Sequence, residues 1–185
     1  MNYFKERKER AGKGGEMRIE KTYNGKLMEK GKQNEEVILK WFKKFSKDII
    51  DFREYRVAQR ADIDFGIETV DGNILLAEIK SDKYINELGN LFFECYRINH
   101  FVKNKWFYLG WGWRSPAQKL IIRNPNTNEI FVFDFLALRT FIGKYVSEVG
   151  NKIRTTIVET DKQKTTFAFL IPMSKLKGLY KKFNL

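Results

Sequence analysis

The sequence predicts an α/β fold in which a mixed central β-sheet is flanked by helices. Three observations predict it. Residues 31–47 place apolar side chains at helical spacing. Apolar runs on both sides of Asp71-Gly72 alternate with polar residues, as expected of a β-hairpin. The later part of the chain goes on switching between strand-like and helical patterns, which indicates helices packed on a sheet.

The helix predicted over residues 31–47 has one apolar face and one basic face. Glu35 lies three and seven residues before Ile38 and Phe42, so it points toward the buried face. A solvent-facing role fits Glu36 better, so helical phase alone favours Glu35 over Glu36 as the site residue. The residues assigned to the apolar face are Val37, Ile38, Trp41, Phe42 and Phe45.

The hairpin predicted over residues 62–83 carries the charged residues of most interest. Side chains alternate across a strand, so Asp62 and Asp64 are expected on one face. On the second strand Glu78 and Lys80 share a face. If these two polar faces coincide, the four side chains converge at one end of a short sheet. Buried charges are costly unless they are paired or bind a cation, and a divalent metal would supply one.

The remaining elements are predicted from the same two periodicities. The predicted strands are 52–58, 106–111, the hairpin 119–123 with 129–133, and the pair 153–159 with 165–171; the predicted helices are 86–102, one that opens near Asp134, and a basic one that follows Pro172.

The formal net charge is +12 for 185 residues, and its distribution suggests a partner. Residues 1–50 and 151–185 each carry a surplus of six basic side chains, whereas residues 51–150 balance. A polyanion held by the two ends and presented to the middle fits this pattern. A soluble basic surface without such a role fits it equally. We expect residues 1–30 to be a flexible basic arm and residues 31–185 to form one domain.

The sequence also argues against several classes of protein. A single cysteine, Cys95, excludes an internal disulfide framework and a cysteine-based zinc site. No stretch of eighteen apolar residues predicts a membrane span, and no secretory signal is recognisable. No P-loop or dinucleotide-binding glycine motif is present. We therefore expect a cytoplasmic protein that does not contact membranes and does not hydrolyse nucleoside triphosphates.

One spacing resembles a known family. Asp64 is followed fourteen residues later, across the hairpin, by Glu78-Ile79-Lys80. This pattern resembles the PD-(D/E)XK nuclease superfamily, which includes restriction endonucleases and Holliday junction resolvases and which has compact phage and mobile-element members. Ile63 stands where the family name has proline, a departure that the family tolerates. The resemblance implies a restriction-endonuclease-like core.

The resemblance also implies an activity and a set of site residues. The activity is metal-dependent hydrolysis of DNA by an endonuclease, with Mg²⁺ as cofactor and Mn²⁺ as its substitute. Asp64, Glu78 and the carbonyl of Ile79 would bind the metal, with Asp62 as a further candidate ligand. Lys80 would orient or deprotonate the attacking water, or neutralise charge at the phosphate. Glu35 would support the metal site from the first helix. Without a metal, the same residues would form an ion-pair cluster.

DNA, as a duplex or in a branched or recombining form, is the expected partner, and RNA stays open as a substrate. Two sites related by a two-fold axis cut both strands most simply, so a homodimer is also considered. The alternative is a nucleic-acid-binding protein of the same fold without turnover. The basic residues expected to contact nucleic acid are Lys40, Lys43, Arg60, Lys83 and Arg114.

Overall fold

The computed structural model describes residues 19–22, 24–100, 106–160 and 164–185. Within them the chain forms eleven strands in two sheets and four α-helices. The strands are β1 (Ile19–Thr22), β2 (Asp48–Asp51), β3 (Phe65–Glu68), β4 (Ile74–Ser81), β5 (Asn90–Asn99), β6 (Trp106–Leu109), β7 (Lys119–Asn124), β8 (Glu129–Asp134), β9 (Thr155–Thr160), β10 (Lys164–Pro172) and β11 (Tyr180–Asn184). The helices are α1 (Asn24–Phe42), α2 (Arg56–Arg60), α3 (Trp111–Arg114) and α4 (Phe135–Val149).

A six-stranded mixed sheet carries the hairpin that the sequence predicts. Its strand order is β11-β8-β7-β4-β3-β2, and within it β4 and β7 run parallel while the other neighbours are antiparallel. The second sheet has five strands in the order β1-β9-β10-β5-β6, with only β1 and β9 parallel. The predicted fold class, a mixed sheet flanked by helices, is confirmed.

Two apolar clusters cover opposite faces of the six-stranded sheet. On one face, side chains of β7 and β8 share a core with α4 and with β5 and β10 of the other sheet. On the other face, Ile38 and Leu39 of α1 pack on Phe65, Ala77 and Ile79. This second contact fixes α1 beside β3 and β4, and so brings a helix to the charged end of the hairpin.

The hairpin forms as predicted, and its turn explains why. Gly72 has a φ of 77°, a left-handed conformation that glycine adopts without steric cost. Phe65 pairs with Ala77 and Glu68 with Ile74 across the antiparallel strands. The predicted hairpin of β7 and β8 and the pairing of β9 with β10 are confirmed as well. Asp134 caps α4, because its side chain accepts a hydrogen bond from the backbone N–H of Ala137.

The helix predicted over residues 86–102 is wrong, since this stretch forms strand β5. Leu91, Phe93 and Cys95 are buried at every second position, and Glu94 between them is buried on the opposite face. A run that is apolar on both faces satisfies helical and extended periodicities alike. The segment is a strand because it pairs with both β10 and β6.

Three further predictions need correction. Residues 52–58 are not a strand; β2 ends at Asp51 and the short helix α2 begins at Arg56. The basic helix after Pro172 is a 3₁₀ turn followed by strand β11, which pairs with β8. The first helix spans Asn24–Phe42 rather than residues 31–47.

The predicted flexible arm falls mostly outside the described residues. Residues 1–18 and 23 lie outside them, while residues 19–22 form β1, which pairs with β9. The boundary predicted at residue 30 therefore falls inside α1. No helix in the described part of the chain is long and apolar enough to cross a membrane.

Candidate active site

The two carboxylates of the predicted motif lie side by side. Asp64 stands directly before β3, and the pairing of Phe65 with Ala77 places it beside Glu78. The backbone N–H of Asp64 donates to the carbonyl of Ala77 at 3.0 Å. Its carboxylate Oδ2 accepts a hydrogen bond of 2.7 Å from the backbone N–H of Ile79. Backbone and side chain of Asp64 are thus both held by β4.

Glu78 is the most deeply buried charged residue of this cluster, with 1% of its surface exposed. Its Oε1 forms an ion pair with the ammonium group of Lys80. Its Oε2 is buried and has no hydrogen-bond partner in the described structure. A buried polar atom left without a partner costs about 1–3 kcal/mol. A proton or a cation bound at this oxygen would remove that cost.

The pKa values of both carboxyl groups reflect this crowding. Burial raises the pKa of Glu78 to about 8, with the neighbouring Asp64 adding to the rise and Lys80 opposing it. Burial also raises the pKa of Asp64, against the opposing effects of Lys80, the Ile79 N–H and a hydrogen bond with Glu78. Without a bound cation, both carboxyl groups therefore hold a proton more readily than exposed ones do.

Lys80 lies between these carboxylates and solvent. One third of its side chain is exposed, and its Nζ is 5.6 Å from the ring centre of Trp111. Burial alone would lower its pKa, but Glu78 and Asp64 outweigh burial and raise the pKa above the ordinary lysine value. Lys80 is therefore a cation at neutral pH.

Glu35 faces the same cluster from α1, as its helical phase predicts. Burial and then the charge of Asp64 raise the pKa of Glu35, while Arg53 and Lys80 act in the opposite direction. These effects place Glu35 within electrostatic reach of both Asp64 and Lys80. Glu36, one position further along the helix, forms an ion pair of 3.1 Å with Arg53 and is 45% exposed.

The position of Asp62 differs from the one predicted. Instead of sharing a strand face with Asp64, it lies in the turn before β3 with a left-handed φ of 53°. Its carboxylate forms an ion pair with Arg114, and its carbonyl accepts a hydrogen bond of 2.7 Å from the hydroxyl of Ser115. Asp62 adds negative charge near Glu78 and Lys80, but its own carboxylate is engaged elsewhere.

A cleft of about 900 Å³ opens at this end of the sheet. Glu35 and Lys80 line it, and so does the backbone segment that continues from β4. The cleft gives solvent and ligands a route to Lys80, behind which Glu78 is buried. Its other polar lining residues are Gln33, Asn34, Ser81, Asp82, Lys83, Arg123 and Asn126.

The five basic residues predicted to contact nucleic acid are distributed unevenly. Only Lys83 lines the cleft. Lys40 and Lys43 are exposed at the C-terminal end of α1, and Arg60 is exposed on α2. Arg114 is engaged with Asp62.

Sequence reasoning missed Asn34 and Arg123, which both line the cleft. Asn34 is buried but directly precedes Glu35 on α1, so its place beside a predicted site residue was a usable signal. Arg123 is brought there by the pairing of β7 with β4, for which the sequence contains no local signal.

The residues present suit a hard divalent cation in part. Asp64 and Glu78 offer carboxylate oxygens, and the Oε2 atom of Glu78 lacks a partner that a cation would supply. In the described residues, no group of three or more His, Cys, Asp or Glu side chains is arranged to hold a metal. Mg²⁺ is often held by only one or two carboxylates, with water and substrate phosphate as its other ligands. Two carboxylates therefore fit Mg²⁺ better than they fit a fully protein-ligated metal.

Comparisons with known proteins found one similar solved structure and no matching family. No protein-family model matches the sequence, and no curated protein does either. Among solved structures, a bacterial homing endonuclease is similar over 63% of this chain and 73% of its own, with 16% identity and a TM-score of 0.47. A likeness of this size does not define a family, so the function proposed below rests on the side chains of this chain.

Proposed function

We propose that this protein is a metal-dependent DNA endonuclease that hydrolyses phosphodiester bonds at Asp64, Glu78 and Lys80. The observation that carries the proposal is the buried Oε2 of Glu78, which lacks a hydrogen-bond donor although a second carboxyl group adjoins it. Two adjoining carboxylates repel one another unless a proton or a cation lies between them. The cluster also adjoins an open cleft, so a substrate has access to it.

Asp64 and Glu78 would hold the metal, joined by the carbonyl of Ile79 as the sequence resemblance implies. Bound Mg²⁺ would lower the pKa of a water and stabilise the negative charge on the phosphate. The backbone N–H of Ile79 fixes the orientation of the Asp64 carboxylate. A preset ligand of this kind loses little conformational freedom when a cation binds.

Lys80 would act as a cation rather than as a base. Its raised pKa keeps the ammonium group protonated beside the two carboxylates. The one third of its side chain that is exposed lies at the cleft, where a phosphate would arrive. An ammonium group at this position stabilises the charge that develops on phosphoryl oxygens in the transition state.

Glu35 would position a water molecule from α1. It lines the cleft and lies within electrostatic reach of Asp64 and Lys80. Because burial and Asp64 raise its pKa, its carboxyl group holds a proton more readily than an exposed glutamate does. A carboxyl group in this state accepts or donates a hydrogen bond to water beside the metal ligands.

DNA is the proposed substrate because the net charge of the chain is +12 and because Lys80, Lys83 and Arg123 line the cleft. Selectivity for branched or recombining DNA, and Mn²⁺ as a substitute cofactor, are finer parts of the proposal. They rest on the sequence resemblance. RNA cleavage is tested in the same experiment.

The test is a cleavage series with four labelled substrates: duplex DNA, single-stranded DNA, a four-way DNA junction and RNA. Each is incubated with wild-type protein and Mg²⁺, with Mn²⁺, and with a chelator. We expect cleavage of DNA only in the presence of metal, and its loss in Lys80→Ala. Cleavage that persists in Lys80→Ala and Glu78→Gln, or in chelator, would contradict the proposal.

The alternative function is nucleic-acid binding without turnover. One observation favours it: Oε1 of Glu78 already pairs with Lys80, so this half of the carboxylate needs no metal. In that case the cluster is an ion-pair network that stabilises the hairpin. DNA binding without cleavage under every metal condition, together with no measurable Mn²⁺ binding, would establish the alternative.

A further inference from the structure

Arg123 occupies a distinctive position in the cleft. It is paired in register with Ser81 on the adjacent parallel strand, one residue past Lys80. Its guanidinium donates to the side-chain oxygen of Asn34 on α1 and, at 2.8 Å, to that of Asn128. Asn34 in turn donates to the hydroxyl of Ser81 at 2.9 Å. The guanidinium is thus held in place by Asn34 and Asn128, and Asn34 is itself anchored on Ser81.

The charge of Arg123 is uncompensated. Its hydrogen bonds go to neutral amide oxygens, and no carboxylate among the described residues forms an ion pair with it. Its Nε–H is buried without an acceptor. Burial lowers the pKa of the guanidinium, with no carboxylate to counter the effect. A partly buried cation without a counter-ion is costly, and an arriving anion would remove that cost.

We propose that Arg123 is a phosphate-binding residue, which holds a backbone phosphate of the nucleic acid beside the one positioned at Lys80. A guanidinium presents five N–H groups in a rigid fork that matches phosphate oxygens, and two of those groups already fix its orientation on Asn34 and Asn128. Arg123 lines the cleft together with Lys83, so a phosphate bound there would reach its guanidinium.

The cations that line the cleft favour a phosphate as the ligand of Arg123. That this phosphate belongs to a nucleic acid rests on the proposed nuclease function. Lys80, Lys83 and Arg123 line the cleft against Glu35 and Asp82. Asp82 is tied to the chain, since its side chain accepts from the backbone N–H of Tyr84 at 2.8 Å. Arg123 would then set which phosphate of the strand lies at the hydrolytic centre, a positioning role distinct from that of Asp64 and Glu78.

The test measures binding without cleavage. A labelled DNA duplex is titrated in chelator with wild type, Arg123→Gln, Arg123→Lys and the control Lys144→Gln, which removes an exposed charge on α4. We expect Arg123→Gln to weaken binding about tenfold and to reduce the salt slope of log K by about one, with partial rescue in Arg123→Lys. Lys144→Gln should stay within about twofold of wild type. Equal affinity and slope for Arg123→Gln and Lys144→Gln would overturn the inference.

A second measurement needs no variant and therefore does not depend on its folding. Phenylglyoxal modifies arginines of the wild-type protein, and peptide mass spectrometry follows each site. We expect duplex DNA to slow modification of Arg123 several-fold; an unchanged rate would overturn the inference. Neither assay requires hydrolysis. Arg123-dependent binding without any cleavage would reject the nuclease proposal alone, and cleavage without Arg123-dependent binding would reject this inference alone.

Discussion

The ammonium group of Lys80 pairs with Oε1 of Glu78, two residues earlier on the same strand, and leaves Oε2 of Glu78 without any partner. One carboxylate oxygen is therefore neutralised by the chain itself, and the other is not. Asp64 adjoins this carboxylate and raises its pKa further. Proton release on metal binding and the pH dependence of stability both follow from this asymmetry.

Metal binding should release a proton. The pKa of Glu78 is about 8, so at pH 6 a cation must displace a proton from the carboxyl group. We expect the affinity for Mn²⁺ to rise about tenfold per pH unit between pH 6 and 8 and to level off above. Isothermal titration calorimetry in two buffers of different ionisation enthalpy measures both quantities. Affinity that is independent of pH, with no proton released, would be inconsistent with a metal at Glu78.

The same proton should influence stability. Glu78 has a pKa of about 8 in the folded protein and the ordinary value near 4.5 when unfolded. Between these values the folded state binds more protons, so the free energy of unfolding falls as pH rises from about 5 to 8. We expect Glu78→Gln to remove most of this fall, which is on the order of 3–4 kcal/mol. Urea unfolding of both proteins at pH 5, 6.5 and 8 provides the measurement. Parallel pH profiles for the two proteins would argue against a protonated Glu78.

Glu35 and Glu36 form a matched pair of neighbours with different expected effects. Both carboxylates pair with Arg53, Glu35 at 3.9 Å and Glu36 at 3.1 Å, but only Glu35 lines the cleft and is within electrostatic reach of Asp64. We expect Glu35→Gln to reduce the cleavage rate by about 10- to 100-fold, as for other residues that support a metal site. Glu36→Gln should change the rate by less than about threefold. Single-turnover cleavage of a DNA duplex compares them, and equal effects would remove Glu35 from the site.

Elements set by local patterns could be predicted from the sequence, whereas elements set by long-range strand pairing could not. The Asp71-Gly72 turn and the helical phase of Glu35 are local patterns, so the hairpin and the direction of Glu35 could be predicted from them. Strand β5 could not, because its apolar residues suit both periodicities and its sheet partners are distant in sequence. The position of Arg123 beside Ser81 depends on a parallel pairing across some forty residues. Long-range pairings of this kind leave no local pattern.

Gly112, next to Trp111, tests the packing at that point, and Gly143 in α4 provides a comparison. A Cβ on Gly112 would lie 2.5 Å from Cε1 of Phe93 and 2.6 Å from the carbonyl oxygen of Glu94. We expect Gly112→Ala to destabilise the protein by about 2 kcal/mol through overpacking. Gly143, inside α4, has nothing within 4 Å of such a Cβ, so Gly143→Ala should stabilise by about 0.5–1 kcal/mol. Thermal unfolding compares both variants with wild type, and similar shifts for the two would contradict the packing described.

The most direct measurement is plasmid nicking by Asp64→Asn beside Asp71→Asn, with Mg²⁺ and with chelator. Asparagine at position 64 keeps an oxygen for the Ile79 N–H but loses the charge, and Asn-Gly at 71–72 preserves the turn. We predict that wild type and Asp71→Asn nick DNA with Mg²⁺ only, and that Asp64→Asn is at least about 100-fold slower. Equal nicking by Asp64→Asn and Asp71→Asn would contradict a metal-dependent hydrolytic centre at Asp64 and Glu78.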